Sequence, residues 1–145
     1  MRNGQLRTDE VTLYYTIRGS GPMLLILQGG AGNADGSEYL ANQLAGDFTV
    51  VTYDRRGLSR STPIQAERYD IAAHGDDAAR LITALTDEPA FVFGSSIGAL
   101  IGLELAAHRG AGRSATPPYR SAQDVSAGWD FSRDEAHGRS CRRRY

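Results

Sequence analysis

Apolar residues fall along this chain in short blocks, and the spacing within each block predicts an element. Met23-Leu24-Leu25-Ile26-Leu27 is unbroken, as in a strand buried on both faces of a parallel sheet. Phe48 to Tyr53 is a second such strand. Val11 to Ile17 alternates poorly but is rich in β-branched and aromatic residues, so it also reads as a strand. Glu38 to Ala45 places Leu40 and Leu44 at i and i+4, a short helix with Gly46 as its expected C-cap. Asp70 to Thr86 gathers Ile71, Ala78, Leu81, Ile82 and Leu85 on one helical face, and Asp87-Glu88-Pro89 stops it. Ala90 to Phe93 is a short apolar strand, and the small and apolar residues from Ala99 to Ala107 continue as a helix. The order β, β, α, β, α, β, α predicts an α/β fold, with helices flanking a mostly parallel sheet and right-handed crossovers.

The pattern breaks near His108. Residues 1–108 hold 13 Leu and 7 Ile, and residues 109–145 hold neither. Such residues dominate buried positions, so the second segment has little with which to build a core. Arg numbers 8 against 13 acidic residues before the break, and 8 against 4 after it. The division expected is a folded portion over 1–108 and an Arg-rich disordered tail over 109–145. With no Lys, Leu or Ile, the tail has the composition that a shifted reading frame in GC-rich DNA produces. A genuine disordered tail would share that composition.

Other whole-chain features mainly exclude. A net charge of -1 gives no reason to expect nucleic acid as a partner. Arg142-Arg143-Arg144 reads as a solvated end. No apolar run approaches the roughly 18 residues of a membrane span, so no membrane partner is expected. The polar start Met1-Arg2-Asn3-Gly4-Gln5 lacks a signal-peptide core, and the single Cys141 excludes an internal disulfide framework. A cytoplasmic setting without metal or organic cofactor is the expectation.

Candidate chemistry centres on Gly94-Ser95-Ser96-Ile97-Gly98, which has the form Gly-x-Ser-x-Gly. A strand precedes it and a helix follows, the context that a nucleophile elbow requires. A serine hydroxyl is a weak nucleophile that needs a base, and its attack on an acyl carbon needs donors for the oxyanion. The turn lifts Ser96 out of the sheet, and the Ile97 N–H stands at the helix start, where it can donate to an anion. Ser95 occupies a variable position of the motif. The alternative is a small-residue turn that tightens a βα unit with no catalytic meaning. No Gly-x-x-x-x-Gly-Lys-(Ser/Thr) motif occurs, so a nucleotide binder is poorly supported.

Three segments in chain order resemble the α/β-hydrolase family over roughly residues 6 to 108. Leu24-Leu25-Ile26-Leu27-Gln28-Gly29-Gly30 is similar to the strand leading into the oxyanion loop. Asp54-Arg55-Arg56-Gly57-Leu58-Ser59-Arg60-Ser61 resembles the family's Asp-x-Arg-Gly-x-(Gly/Ser)-x-Ser loop. Phe91 to Gly98 resembles the strand and elbow. The resemblance implies Ser96 as nucleophile, with the N–H groups of Gly30 and Ile97 as oxyanion hole. Gln28 stands where many members carry His, and it can still hydrogen-bond to a loop backbone. Asp54 and Arg56 are expected to brace their loop. Serine at the elbow implies hydrolysis of a small ester or related acyl compound, and argues against the family's dehalogenases and epoxide hydrolases, which use Asp there.

The family places its acid and its His after the elbow. Asp124, Asp130, Asp134 and His137 follow in nominal order, but no predicted strand positions them. His74 reads as a surface or boundary residue and His108 as a helix-end residue. The expectation is therefore an incomplete α/β-hydrolase fold with little or no turnover. Phe91-Val92-Phe93 would be left as an exposed apolar edge inviting self-association. The rival class is a non-enzymatic α/β module that associates through that edge.

Overall fold

The computed structural model describes residues 1–30, 33–62 and 70–110, for 108–110 the backbone alone. Residues 111–145, which include Asp124, Asp130, Asp134 and His137, lie outside the described residues.

Five strands and three helices follow in the order β1 (Arg2–Arg7), β2 (Thr12–Arg18), β3 (Met23–Leu27), α1 (Glu38–Leu44), β4 (Thr49–Tyr53), α2 (Ile71–Leu85), β5 (Phe91–Gly94) and α3 (Ile97–Gly110), with a 3-10 turn at Ala34–Ser37 leading into α1. The strands form one sheet in the order β1-β2-β4-β3-β5. The two pairs made by β3 are parallel, with Leu25 opposite Val51 on β4 and opposite Val92 on β5. The β1-β2 and β2-β4 pairs are antiparallel.

β1 is absent from the sequence reading. Its residues are polar and lie mostly exposed, so no hydrophobic period marks it. Pairing with β2 makes it a strand, Arg2 opposite Ile17 through Arg7 opposite Thr12. The expected Gly46 cap is also replaced. α1 ends at Leu44, whose carbonyl accepts from the N–H groups of Asp47 and Phe48.

The unbroken apolar run of β3 serves two cores, because successive side chains point to opposite faces. Leu25 and Leu27 join Leu13, Val51 and Tyr53 beneath α2 and α3, which contribute Ala78, Leu81, Ile82, Ile101 and Leu105. Leu24 and Ile26 face the other way, with Val50, Ala41 of α1, and the flanking Leu40, Leu44, Phe48 and Phe91. Phe48 and Phe91 meet edge to face at 5.6 Å between centroids. The Asp70 carboxylate caps α2 by accepting from the Ala72 N–H.

Among the described residues β5 pairs with β3 alone, and its free edge carries Phe93, 46% exposed. Leu100 and Leu103 of α3 are exposed as well. The ends of β3, β4 and β5 lie side by side, so the three loops that follow them meet at one end of the sheet.

Candidate active site

The three motifs converge at that end. β5 delivers Ser96 at φ 56°, left-handed backbone that a serine seldom adopts. Such strain persists where the surrounding structure over-determines it. Here the Ser95 N–H donates to the Leu27 carbonyl, extending the β3-β5 ladder one residue. The N–H groups of Gly98 and Ala99 then donate to the carbonyls of Ser95 and Ser96. Ser96 is left exposed at the turn. Ile97 is the first residue of α3, so its N–H has no intrahelical acceptor and is open to an incoming anion.

Close backbone approach explains two glycines. A Cβ on Gly98 would run into the Leu27 carbonyl, so the start of α3 sits directly against the end of β3. A Cβ on Gly29 would stand 3.0 Å from both the Ser95 carbonyl oxygen and Ser96 Cβ. The loop after β3 is thus pressed against the elbow, which brings Gly29-Gly30 beside Ser96. Gly30 follows Gly29 in the chain, and Ile97 follows Ser96.

Gln28 is buried and its Nε2 donates to the Asn33 carbonyl at 2.8 Å. It braces the loop from inside. A cavity of about 390 Å³ opens alongside, lined by Gln28, Gly29, Ser95, Phe93 and Leu40 among others. Ser95, the neighbour of Ser96 in the elbow, lines it.

The loop after β4 is the scaffold for this arrangement. Asp54 is fully buried. Its carboxylate accepts from the Ala34 N–H at 2.7 Å, the Arg60 N–H at 3.0 Å, and the Arg60 guanidinium at 2.7 and 3.0 Å. Burial pushes its carboxyl up, but the Arg60 guanidinium and the two backbone donors outweigh that and hold it below the ordinary carboxylate range. Arg56 grips the buried Asp77 of α2 through two bonds of 2.6 and 2.7 Å. The Asp77 hydrogen bond, ahead of the other influences, holds Arg56 firmly protonated. Both residues brace the loop, as expected of them.

Two residues depart from expectation. His74 is buried, 4% exposed, where a surface or boundary position was expected. Burial, then the nearby Arg55 charge, lowers its pKa below the ordinary 6.5. Arg55 is 1% exposed, and its guanidinium donates to the Gly30 carbonyl. Sequence reasoning passed over Arg55, since nothing in Arg55-Arg56 says which side chain turns inward. His74 did carry a signal. It stands four residues before Ala78 and seven before Leu81, on the apolar face of α2. Among the described residues no group of acidic, cysteine or histidine side chains could hold a metal ion.

A model of the alpha/beta hydrolase fold family matches residues 22–117. The chain belongs to this family. Its relatives include the "Uncharacterized hydrolase YraK" of Bacillus subtilis, 51% identical over 106 residues, which are 72% of this chain and 39% of that protein. Among solved structures, a "putative epoxide hydrolase from Pseudomonas aeruginosa" superposes with a TM-score of 0.68 at 31% identity, covering 75% of this chain and 37% of that one. Est816, described as "an N-Acyl homoserine lactone degrading enzyme", superposes with a TM-score of 0.65 at 28% identity, covering 72% and 40%. The chain spans less than half the length of these relatives. Among the described residues, the sheet order β1-β2-β4-β3-β5 with its three helices is consistent with part of the α/β-hydrolase fold. No helix among the described residues is long and apolar enough to cross a membrane.

Proposed function

We propose that this chain carries the nucleophile and oxyanion elements of a serine-type α/β-hydrolase acting on a small ester or related acyl compound. The observation that carries the reading is the left-handed Ser96, exposed on a strand–turn–helix elbow against which Gly29 is packed. Ser96 Oγ attacks the acyl carbon, the Gly30 and Ile97 N–H groups receive the oxyanion, and water resolves the acyl-enzyme. The lactone-degrading activity named for Est816 belongs to the same acyl chemistry. Epoxide opening, named for the Pseudomonas neighbour, fits a serine poorly. Attack by an alkoxide on an epoxide leaves an ether that water does not hydrolyse, whereas attack by a carboxylate leaves an ester.

The test is incubation of the chain with an alkyl fluorophosphonate, followed by peptide mass spectrometry. An adduct on Ser96, lost in Ser96→Ala and kept in Ser95→Ala, is expected. An adduct confined to Ser95, or one surviving Ser96→Ala, overturns the assignment.

The exposed Phe93 on the free edge of β5 favours one second reading, a non-enzymatic module that self-associates there. Sedimentation of the wild type against Val92→Lys decides it. A concentration-dependent assembly abolished by the lysine supports the module, and a monomer in both removes it.

A further inference from the structure

We propose that Arg55 is the positioning residue of the oxyanion loop: its buried guanidinium holds the Gly30 carbonyl and so, with Gly29 wedged on the other side, restrains the peptide between them that offers the Gly30 N–H to the reacting oxygen. The proposal rests on the serine-hydrolase reading for its chemistry, but on geometry alone for the restraint.

The two glycines of this loop are held by different means. Gly29 is wedged, because a Cβ there would already touch Ser95 and Ser96 at 3.0 Å. Gly30 is not. It is exposed, and nothing lies within 4 Å of the point where its Cβ would stand. Its φ of 52° is one of many that glycine reaches without cost. Among the described residues no packing against a Cβ position holds Gly30, and a donor that is not held must be ordered again at each reaction, which forfeits preorganisation. The restraint present is the hydrogen bond from Arg55 Nη2 to the Gly30 carbonyl.

The cost of that restraint argues that it is used. Arg55 is among the largest fully buried side chains of the protein. Sequestering a guanidinium from water is expensive unless its donors are engaged. An apolar residue of similar volume would fill the space between α2 and the loop without that penalty. What it could not do is donate to a carbonyl from a planar fork.

Beyond this point the loop is held at Asn33 and Ala34. Gln28 Nε2 holds the Asn33 carbonyl at 2.8 Å, the Ala34 N–H is held by Asp54, and Thr52 Oγ1 donates to the Ala34 carbonyl at 3.2 Å. Asp54 and Arg55 are adjacent, so β4 and the loop after it fix the oxyanion loop at its exit and near its middle. His74, whose pKa is lowered by burial and by Arg55, sits beside the guanidinium without adding a second charge at neutral pH.

The experiment uses the full 145-residue chain, uniformly labelled with ¹⁵N. Backbone order parameters are compared in wild type, Arg55→Met, Arg55→Lys and Leu81→Ala. Leu81 is a fully buried α2 residue outside the site, so its truncation reports what destabilisation alone does. In the wild type Gly30 is expected near the rigid-backbone value of about 0.85, falling below about 0.6 in Arg55→Met. Arg55→Lys, which keeps a donor but loses the fork, falls between, and Leu81→Ala leaves Gly30 near the wild type. Equal order at Gly30 in wild type and Arg55→Met overturns the proposal, as does an equal loss in Leu81→Ala. Should Arg55→Met not fold, wild-type order at Gly30 in Arg55→Lys overturns it instead.

A second readout is the rate of phosphonylation of Ser96. It is expected to fall roughly tenfold or more in Arg55→Met, since a single oxyanion donor accounts for about a hundredfold. A wild-type chain that takes no adduct on Ser96 counts against the nucleophile reading, and the order parameters still decide the role of Arg55.

Discussion

The loops after β4 and β5 end side by side and are built by opposite means. Residues 54–61 are tied by side chains. The Asp54 carboxylate receives four bonds, Arg56 is clamped to Asp77, and Ser61 Oγ donates to the Asp54 carbonyl while accepting from the Tyr14 N–H. The elbow, residues 94–98, is tied among the described residues by backbone, through Leu27, Ser95 and Ser96 carbonyls and the close approach of Gly98. Yet both contain a serine in the left-handed region, Ser59 at φ 50° and Ser96 at φ 56°. Side chains engaged in a network cannot also react. A loop held by its backbone leaves the Ser96 side chain exposed, while the loop after β4 spends its side chains on holding the frame.

The largest break in that comparison should come from Asp54→Ala. It strands the Ala34 and Arg60 donors and is expected to lower stability by about 3 kcal/mol, read as a urea midpoint shift at unchanged slope. A loss within experimental error would mean that the network contributes nothing net. Gly98→Ala attacks the other loop, forcing a methyl into the Leu27 carbonyl. A cost of about 2 to 3 kcal/mol is expected, and a wild-type midpoint would show that α3 and β3 are not tightly apposed.

The effect of pH separates the loops further, because Asp54 belongs to the side-chain-built one and His74 of α2 lies near the Arg55 charge of that loop. Asp54 has a lowered folded-state pKa, so its stabilisation is complete above the ordinary 3.8 and disappears as pH falls through the folded value. His74 also has a lowered folded-state pKa. Below about 6.5 the unfolded chain binds the proton first, so stability falls with pH until the folded-state pKa is reached. Urea midpoints should drop between pH 7.5 and 5.5, and His74→Gln should flatten that drop. An unchanged drop in the variant would assign it elsewhere.

The smallest effects sharpen the comparison most. Ser59→Gly and Ser96→Gly each relieve left-handed strain and should each stabilise by up to about 1 kcal/mol. The first should leave fluorophosphonate labelling intact, and the second should abolish it. If Ser59→Gly also abolished labelling, the division of labour between the loops would fail.

The linear order of residues determined most of the elements and the motif positions. Apolar runs and helical spacing are local, and they marked β2, β3, β4, β5 and all three helices within one to three residues. Gly94-Ser95-Ser96-Ile97-Gly98 was readable for the same reason, since its glycines answer to contacts made within a few residues and with the adjoining strand. Tertiary structure alone decided the rest. β1 is a strand only because β2 offers its edge, and polar residues carry no period that announces such pairing. Arg55 and Arg56 are the same residue type in neighbouring positions, yet one turns to the Gly30 carbonyl and the other to Asp77 on α2. Which guanidinium is buried depends on what the sheet order β2-β4-β3-β5 places on either side of the β4 end, and that long-range arrangement has no local signature in the sequence.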